Sequence, residues 1–160
     1  MEGLTVRDRE YLRALFLLNG QEEPVGPTEL SEIMRVSKVG ALQKMKHLDS
    51  IDMGEYIKGS GLLLNKKGVE IVEKDIRNHH ILEQFLRKSL GMNYNDACQE
   101  SEKISSVVSN SVIEKIVAKF EGELNCECGN CMDPPYNPEE LKECHWCKKL
   151  IDHNMGDMGD

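Results

Sequence analysis

From Arg7 to Leu18 the apolar residues Tyr11, Leu12, Leu15, Phe16 and Leu18 recur at three- and four-residue spacing, which predicts an amphipathic helix with one buried stripe. Gly20 stops it. Pro27, whose fixed φ suits the first helical position, opens a second, short helix that turns Leu30, Ile33 and Met34 inward and ends near Arg35. Val36-Ser37 supplies a break with an N-capping hydroxyl. A third helix follows, with Val39, Leu42, Met45 and Leu48 on one face and Lys38, Gln43, Lys44, Lys46 and His47 largely off it. Two β-like runs, Glu55 to Lys58 and Leu62 to Asn65, then flank Gly59-Ser-Gly61. Helix, short helix, tight turn, basic-faced helix and hairpin is the order of a helix-turn-helix with a wing, and few other folds accommodate it.

That order assigns roles to individual residues. Ser37, Lys38 and Gln43 stand at the start and middle of the third helix, where side chains reach base edges, and a glutamine can pair bidentately with adenine. Lys44 and Lys46 lie on the same helix, while Lys58 and Lys66 would meet phosphates, adding affinity without sequence information. From Lys38 to Lys67 six lysines face only Asp49, Asp52 and Glu55, so positive charge gathers locally. The whole chain of 160 residues carries a net charge of −8, which argues against coating nucleic acid or anionic membrane by bulk electrostatics. No apolar run approaches the roughly 18 to 20 residues of a membrane helix, and MEGLTVRDRE has no basic start or apolar core of a signal peptide. A cytoplasmic location with no membrane partner is expected.

From Val69 to about Phe120 the pattern is helical again, with Ile71, Val72, Ile76, Ile81, Leu82, Phe85, Leu86 and Leu90 on a wide apolar face that Gly91 closes. A further helical pattern runs through Ala97, Ile104, Val107 and Val108, with Val112, Ile113, Ile116 and Val117 behind it. An aliphatic helical domain beside a winged helix suggests a homodimer, which can place two recognition helices about one DNA turn apart on a double-stranded operator. The segments Glu10-Tyr-Leu-Arg13, Val36-Ser37, Leu64-Asn-Lys-Lys-Gly68 and Arg77-Asn-His-His-Ile-Leu-Glu-Gln-Phe-Leu86, followed by Leu90-Gly91, resemble the DtxR/MntR family of metal-dependent repressors over residues 7 to 120. The resemblance implies an N-terminal winged helix that binds DNA, a helical domain that dimerises, and divalent iron or manganese that favours the DNA-binding form.

It also implies two metal sites. One draws on Glu10 and on a triad that falls at Glu102, Ser105 and Ser106, spaced i, i+3, i+4 on one helical face, where the two hydroxyls replace better ligands. The other draws on His79 and Glu83, one helical turn apart, and on Cys98 where the family has a histidine. Imidazole, carboxylate and thiol are all competent ligands, and a thiolate shifts preference toward softer metals.

Cys126-x-Cys128-x-x-Cys131, twelve residues, then Cys144-x-x-Cys147 places two CxxC pairs so that they can meet around one ion. Cys128, Cys131, Cys144 and Cys147 make the natural set, with Cys126 an alternative ligand or redox-active spare and His145 and His153 further donors. Zinc and a four-cysteine iron–sulfur cluster fit the ligand count equally. In a reducing compartment such thiols are metal or cluster ligands, or a redox pair, before they are disulfides.

The expected fold is mainly α: a winged helix-turn-helix with a small β wing (1–74), a helical dimerisation domain (75–122), a short cysteine-rich module (123–152) and an acidic tail (153–160). The expected function is a DNA-binding regulator, a repressor by resemblance, that responds to metal or redox state. A winged-helix interaction adaptor with structural zinc and a redox or electron-carrier protein are the alternatives. Nothing resembles a substrate pocket, nucleophile–base pair or phosphate loop, so no enzyme is expected.

Overall fold

The computed structural model describes residues 3–125 and 133–152. They form two compact units, Met1–Val72 together with Asn137–Asp160, and Glu73–Tyr136.

In the first unit α1 (Val6–Leu17) begins at a reciprocal cap: the Asp8 N–H donates to the Thr5 hydroxyl and the Thr5 N–H to Asp8 Oδ2. Gly20 ends the turn after α1, its N–H donating to the Leu15 carbonyl so closely that a Cβ would lie 2.7 Å from that oxygen. α2 (Pro27–Met34) starts on its proline and stops at Arg35, which takes the left-handed conformation. Ser37 then caps α3 (Lys38–Ser50), accepting from the Gly40 N–H. The strands β1 (Gly54–Ile57) and β2 (Gly61–Leu64) each start one residue earlier than the sequence pattern suggests and pair antiparallel, Gly54 with Leu64 and Ile57 with Gly61. Gly61 has φ +131 and a Cβ there would sit 1.9 Å from the Val25 carbonyl oxygen, so the exchange of hydrogen bonds between Val25 and Leu62 requires a glycine.

Leu12, Leu15, Leu30, Ala41, Met45, Leu48 and Leu62 are sealed from solvent in this unit. The buried stripe of α3 is Ala41, Met45 and Leu48. Val39, expected on that stripe, is 65% exposed because it lies one turn before Gln43 on the outward face, and Leu42 is half-buried. Two short helices from the C-terminal segment belong to the same unit: α7 (Pro138–Leu141) packs on α1 and α8 (His145–Asp152) on α2. The boundary between units falls inside α4 (Lys66–Leu90), which Gly91 closes at φ +65.

In the second unit α5 (Tyr94–Ile104) is capped by Asn93, which accepts from the Asp96 N–H, and α6 (Asn110–Phe120) is preceded by the Ser109 cap. Ile113 and Ile116 of α6 pack on Ile81 and Leu82 of α4, with Phe85, Val108, Val117, Phe120 and Leu124 around them. Val107, expected in the apolar pattern, is 74% exposed because α5 ends at Ile104 and the chain turns there. No helix among the described residues is long and apolar enough to cross a membrane. The acidic tail 153–160 lies outside the described residues.

Asp8 joins α1 to α3. It is 1% exposed, receives the Lys44 ammonium at 2.6 Å and has His47 Nε2 at 3.5 Å. Burial pushes its carboxyl up, but the Lys44 hydrogen bond and the Thr5 cap outweigh that and hold it at about 2, against an ordinary 3.8. A depressed pKa contributes stability that is present above pH 3.8 and lost as pH falls toward 2. Asp8→Asn is therefore expected to destabilise the protein at pH 7 by on the order of 2 kcal/mol in urea unfolding, with its difference from wild type shrinking between about pH 4 and pH 2. A constant difference across that window would show that the ion pair does not hold the two helices.

Candidate metal centre

His79 and Glu83 lie one turn apart on α4, and the tight turn after Gly91 returns α5 so that Cys98 meets them. His79 Nε2 is 3.3 Å from Glu83 Oε2 and 3.7 Å from Cys98 Sγ, and the three ligand atoms all lie within 4.8 Å of one another. His79 and Cys98 are fully buried and Glu83 is 1% exposed. Burying an imidazole, a carboxylate and a thiol costs free energy unless they satisfy one another or bind an ion.

The spacing suits an ion. Zinc–nitrogen and zinc–oxygen bonds of about 2.0–2.1 Å and zinc–sulfur bonds of about 2.3 Å put tetrahedral edges at about 3.3 Å for nitrogen to oxygen and about 3.6 Å for sulfur to nitrogen. Both observed separations are close to those edges. Next door, His80 Nδ1 donates to the Ile76 carbonyl at 2.8 Å, so this ring is oriented by its own helix, edge-on to His79 at 5.4 Å between centroids. The tandem histidines thus do different jobs.

Asp75, Asn78 and Gln84 are also buried on α4. The apolar pattern gives no sign of them, since a period count of aliphatic residues ignores polar ones between. Asn78 donates to the Ser105 carbonyl and so braces the end of α5.

The other implied set lies at the C-terminal end of α5. Glu102 is exposed, Ser105 is buried, and Ser106 lies beyond the end of α5 with its Oγ lacking a hydrogen-bond partner among the described residues. One carboxylate and two hydroxyls do not fit a divalent first-row metal. Glu10 belongs to the first unit, where it accepts from Arg7 Nη1 at 2.7 Å.

Cys144 and Cys147 bracket the first turn of α8, and both are fully buried, with His145 half-buried beside them. The Cys144 N–H donates to the Leu141 carbonyl, and its own carbonyl accepts from Lys148 N–H at 2.7 Å. Cys126, Cys128, Cys131 and His153 lie outside the described residues.

On the winged helix, Ser37, Lys38, Gln43, Lys46 and Lys58 are exposed, and the Lys66 side chain is 90% exposed. Lys46 stands over the Tyr56 ring at 5.7 Å, linking α3 to the wing. Lys44 is instead turned to Asp8. Asp8 lies 36 residues before it, so no local pattern shows that pairing. The same is true of Arg13: its guanidinium carbon lies 3.9 Å from the Trp146 ring centroid, and no local pattern joins residues so far apart in the chain.

Residues 65–133 match the family model described as the iron dependent repressor, metal binding and dimerisation domain. An uncharacterized HTH-type transcriptional regulator of Methanocaldococcus jannaschii is 24% identical over 108 residues, covering 67% of this chain and 86% of that one. The HTH-type transcriptional regulator MntR of Geobacillus thermodenitrificans is 26% identical over 107 residues, covering 67% and 75%. The crystal structure of ScaR with bound Zn2+ superposes with a TM-score of 0.60 at 25% identity, covering 71% of this chain. This chain spans 53% of that solved one. These relatives are transcriptional regulators rather than enzymes, and the matched domain contains the His79, Glu83 and Cys98 cluster. Over residues 65–133 the chain is therefore similar to the metal binding and dimerisation domain of iron dependent repressors.

Proposed function

We propose that this chain is a cytoplasmic, homodimeric repressor that binds an operator through its winged helix, and that metal at His79, Glu83 and Cys98 and at the C-terminal cysteines sets its affinity. The buried imidazole, carboxylate and thiol at tetrahedral spacing carry this reading. Residues 1–74 serve as the DNA-binding domain, 75–122 as the dimerisation domain and 123–152 as the thiol module.

A bound divalent cation would supply the positive charge that offsets burial of the Glu83 carboxylate and the Cys98 thiolate. His79 and Glu83 reach from α4 and Cys98 from α5, so ligation fastens those two helices together. The thiolate directs the site toward zinc or ferrous iron rather than manganese. The C-terminal cysteines take zinc in this reading, since two CxxC pairs can supply its tetrahedral thiolate coordination.

On the DNA side, Ser37, Lys38 and Gln43 face base edges while Lys46, Lys58 and Lys66 serve phosphates. Lys44 holds α3 in place through Asp8. The outward face of α3 is free of acidic side chains from Lys38 to Leu48, which lets it approach DNA despite the chain's net charge of −8.

Two measurements test this. With the five C-terminal cysteines changed to serine, Cys98 is the sole remaining thiol, and Co2+ added to that protein is expected to give a thiolate-to-cobalt charge-transfer band. Changing Cys98→Ser in that same protein should remove the band and weaken binding by at least about tenfold, since loss of a group that merely supports a ligand already costs about 10- to 100-fold. A folded single-thiol protein without the band would sink the site.

The second is a salt-dependent binding series on DNA upstream of the gene. Gln43→Ala should cost about 1–3 kcal/mol and relax discrimination at one base pair. Lys58→Ala should weaken all sequences alike and lower the salt slope by about one. Absence of binding at low salt, with and without added metal, would refute the repressor reading.

A further inference from the structure

Trp146, the only tryptophan of the chain, sits between Cys144 and Cys147, and its ring is held by α1. Arg13 Cζ lies 3.9 Å from the ring centroid, with Arg13 8% and Trp146 3% exposed. The buried Nε of Arg13 has no hydrogen-bond acceptor among the described residues, so the ring face supplies much of what offsets burial of the guanidinium. The contact is therefore sensitive to where the ring stands.

A cation on the neighbouring thiols would act on that position. Cys144, Trp146 and Cys147 occupy the first turn of α8, so a cation gripped by both thiols fixes the rotation of that turn and with it the ring. α8 also has room to shift. A solvent-open pocket of about 420 Å3 lies beside Leu17 of α1, its C-cap Leu18, Ile33 of α2, and Lys142 and Ile151 of the C-terminal segment. A helix packed on every side resists displacement, whereas α8 faces this open pocket at Ile151.

We propose that the Trp146–Arg13 contact transmits the state of the C-terminal thiols to the DNA-binding unit: a thiophilic divalent cation held by Cys144 and Cys147 reseats α8, and Arg13 carries the change into α1. Each ligating thiol releases its proton to solvent on binding, and no electron transfer is involved. The route stays within one compact unit and does not pass through the His79, Glu83 and Cys98 centre. It rests on the reading that the cysteines take a cation and the winged helix binds DNA.

The test uses the full reduced chain, stripped of metal and carrying Cys98→Ser in every sample so that the α4–α5 centre cannot answer for the C-terminal thiols, with Zn2+ alone as the probe. Zn2+ is expected to change Trp146 fluorescence, to alter hydrogen exchange of the α1 amides from Val6 to Leu17, and to shift DNA affinity at least about fivefold. Arg13→Met, which keeps an apolar stem, and the milder Arg13→Lys should bind Zn2+ with unchanged stoichiometry, yet leave α1 exchange and DNA affinity unresponsive to it. Cys144→Ser with Cys147→Ser should abolish all three responses.

An α1 and DNA response that survives in both Arg13 variants overturns the proposal, as does one that survives the paired serine variant. Zn2+ bound at the thiols of the Cys98→Ser chain with no change in α1 exchange overturns it equally. Should wild type bind no DNA, the repressor reading falls, while hydrogen exchange still decides whether the thiols are coupled to α1.

Discussion

Three groups that are costly to bury meet in the second unit: the His79 imidazole, the Glu83 carboxylate and the Cys98 thiol, all within 2% of full burial. Ile81 and Leu82 pack on Ile113 and Ile116 along the same helix, leaving α4 buried on its polar side as well as its apolar one. A helix covered on both sides must satisfy its polar residues internally. His80 does so by donating to the Ile76 carbonyl and Asn78 by donating to the Ser105 carbonyl, which leaves His79 and Glu83 directed at Cys98.

In the first unit the corresponding constraint is Asp8. A carboxylate sealed from solvent must be paired, and the Thr5 cap together with Lys44 does that while tying α1 to α3. The lysine is thereby removed from the outward face. What remains exposed there is a helical strip of Val39 and Gln43 with a lysine at each end, Lys38 and Lys46. Seating of that strip depends on α1, and α1 is also where Arg13 receives Trp146 from the C-terminal segment. A helix that supports the recognition helix on one side and a thiol-bearing helix on the other is well placed to couple them.

Much of this was legible in the residues. The spacing of Leu12, Leu15 and Phe16, the proline at position 27, the Ser37 cap and the Gly-Ser-Gly turn give α1, α2, α3 and the wing within a residue or two, because caps and periodicity are local signals. Val39 was misassigned to the core for an equally local reason: at the first turn of a helix it fits the inward stripe and the outward one, and only packing separates them. The apolar pattern at Ile104 and Val107 ran on past the true end of α5, since the chain turns at Ser105 to start α6 while its composition stays aliphatic.

His79 and Glu83 were visible as a pair from their one-turn spacing, and the family resemblance pointed to Cys98. The pattern alone could not bring a cysteine nineteen residues away to 3.7 Å from the imidazole. What the sequence by itself determined is therefore the set of elements and their chemistry: which helices form, where they stop, which residues can ligate. The tertiary structure alone decided which of those groups meet, placing Cys98 on His79, Asp8 on Lys44 and Trp146 on Arg13. Helix periodicity is set by neighbours three and four residues away, whereas the partners of a buried charge or ring are chosen by how whole helices pack.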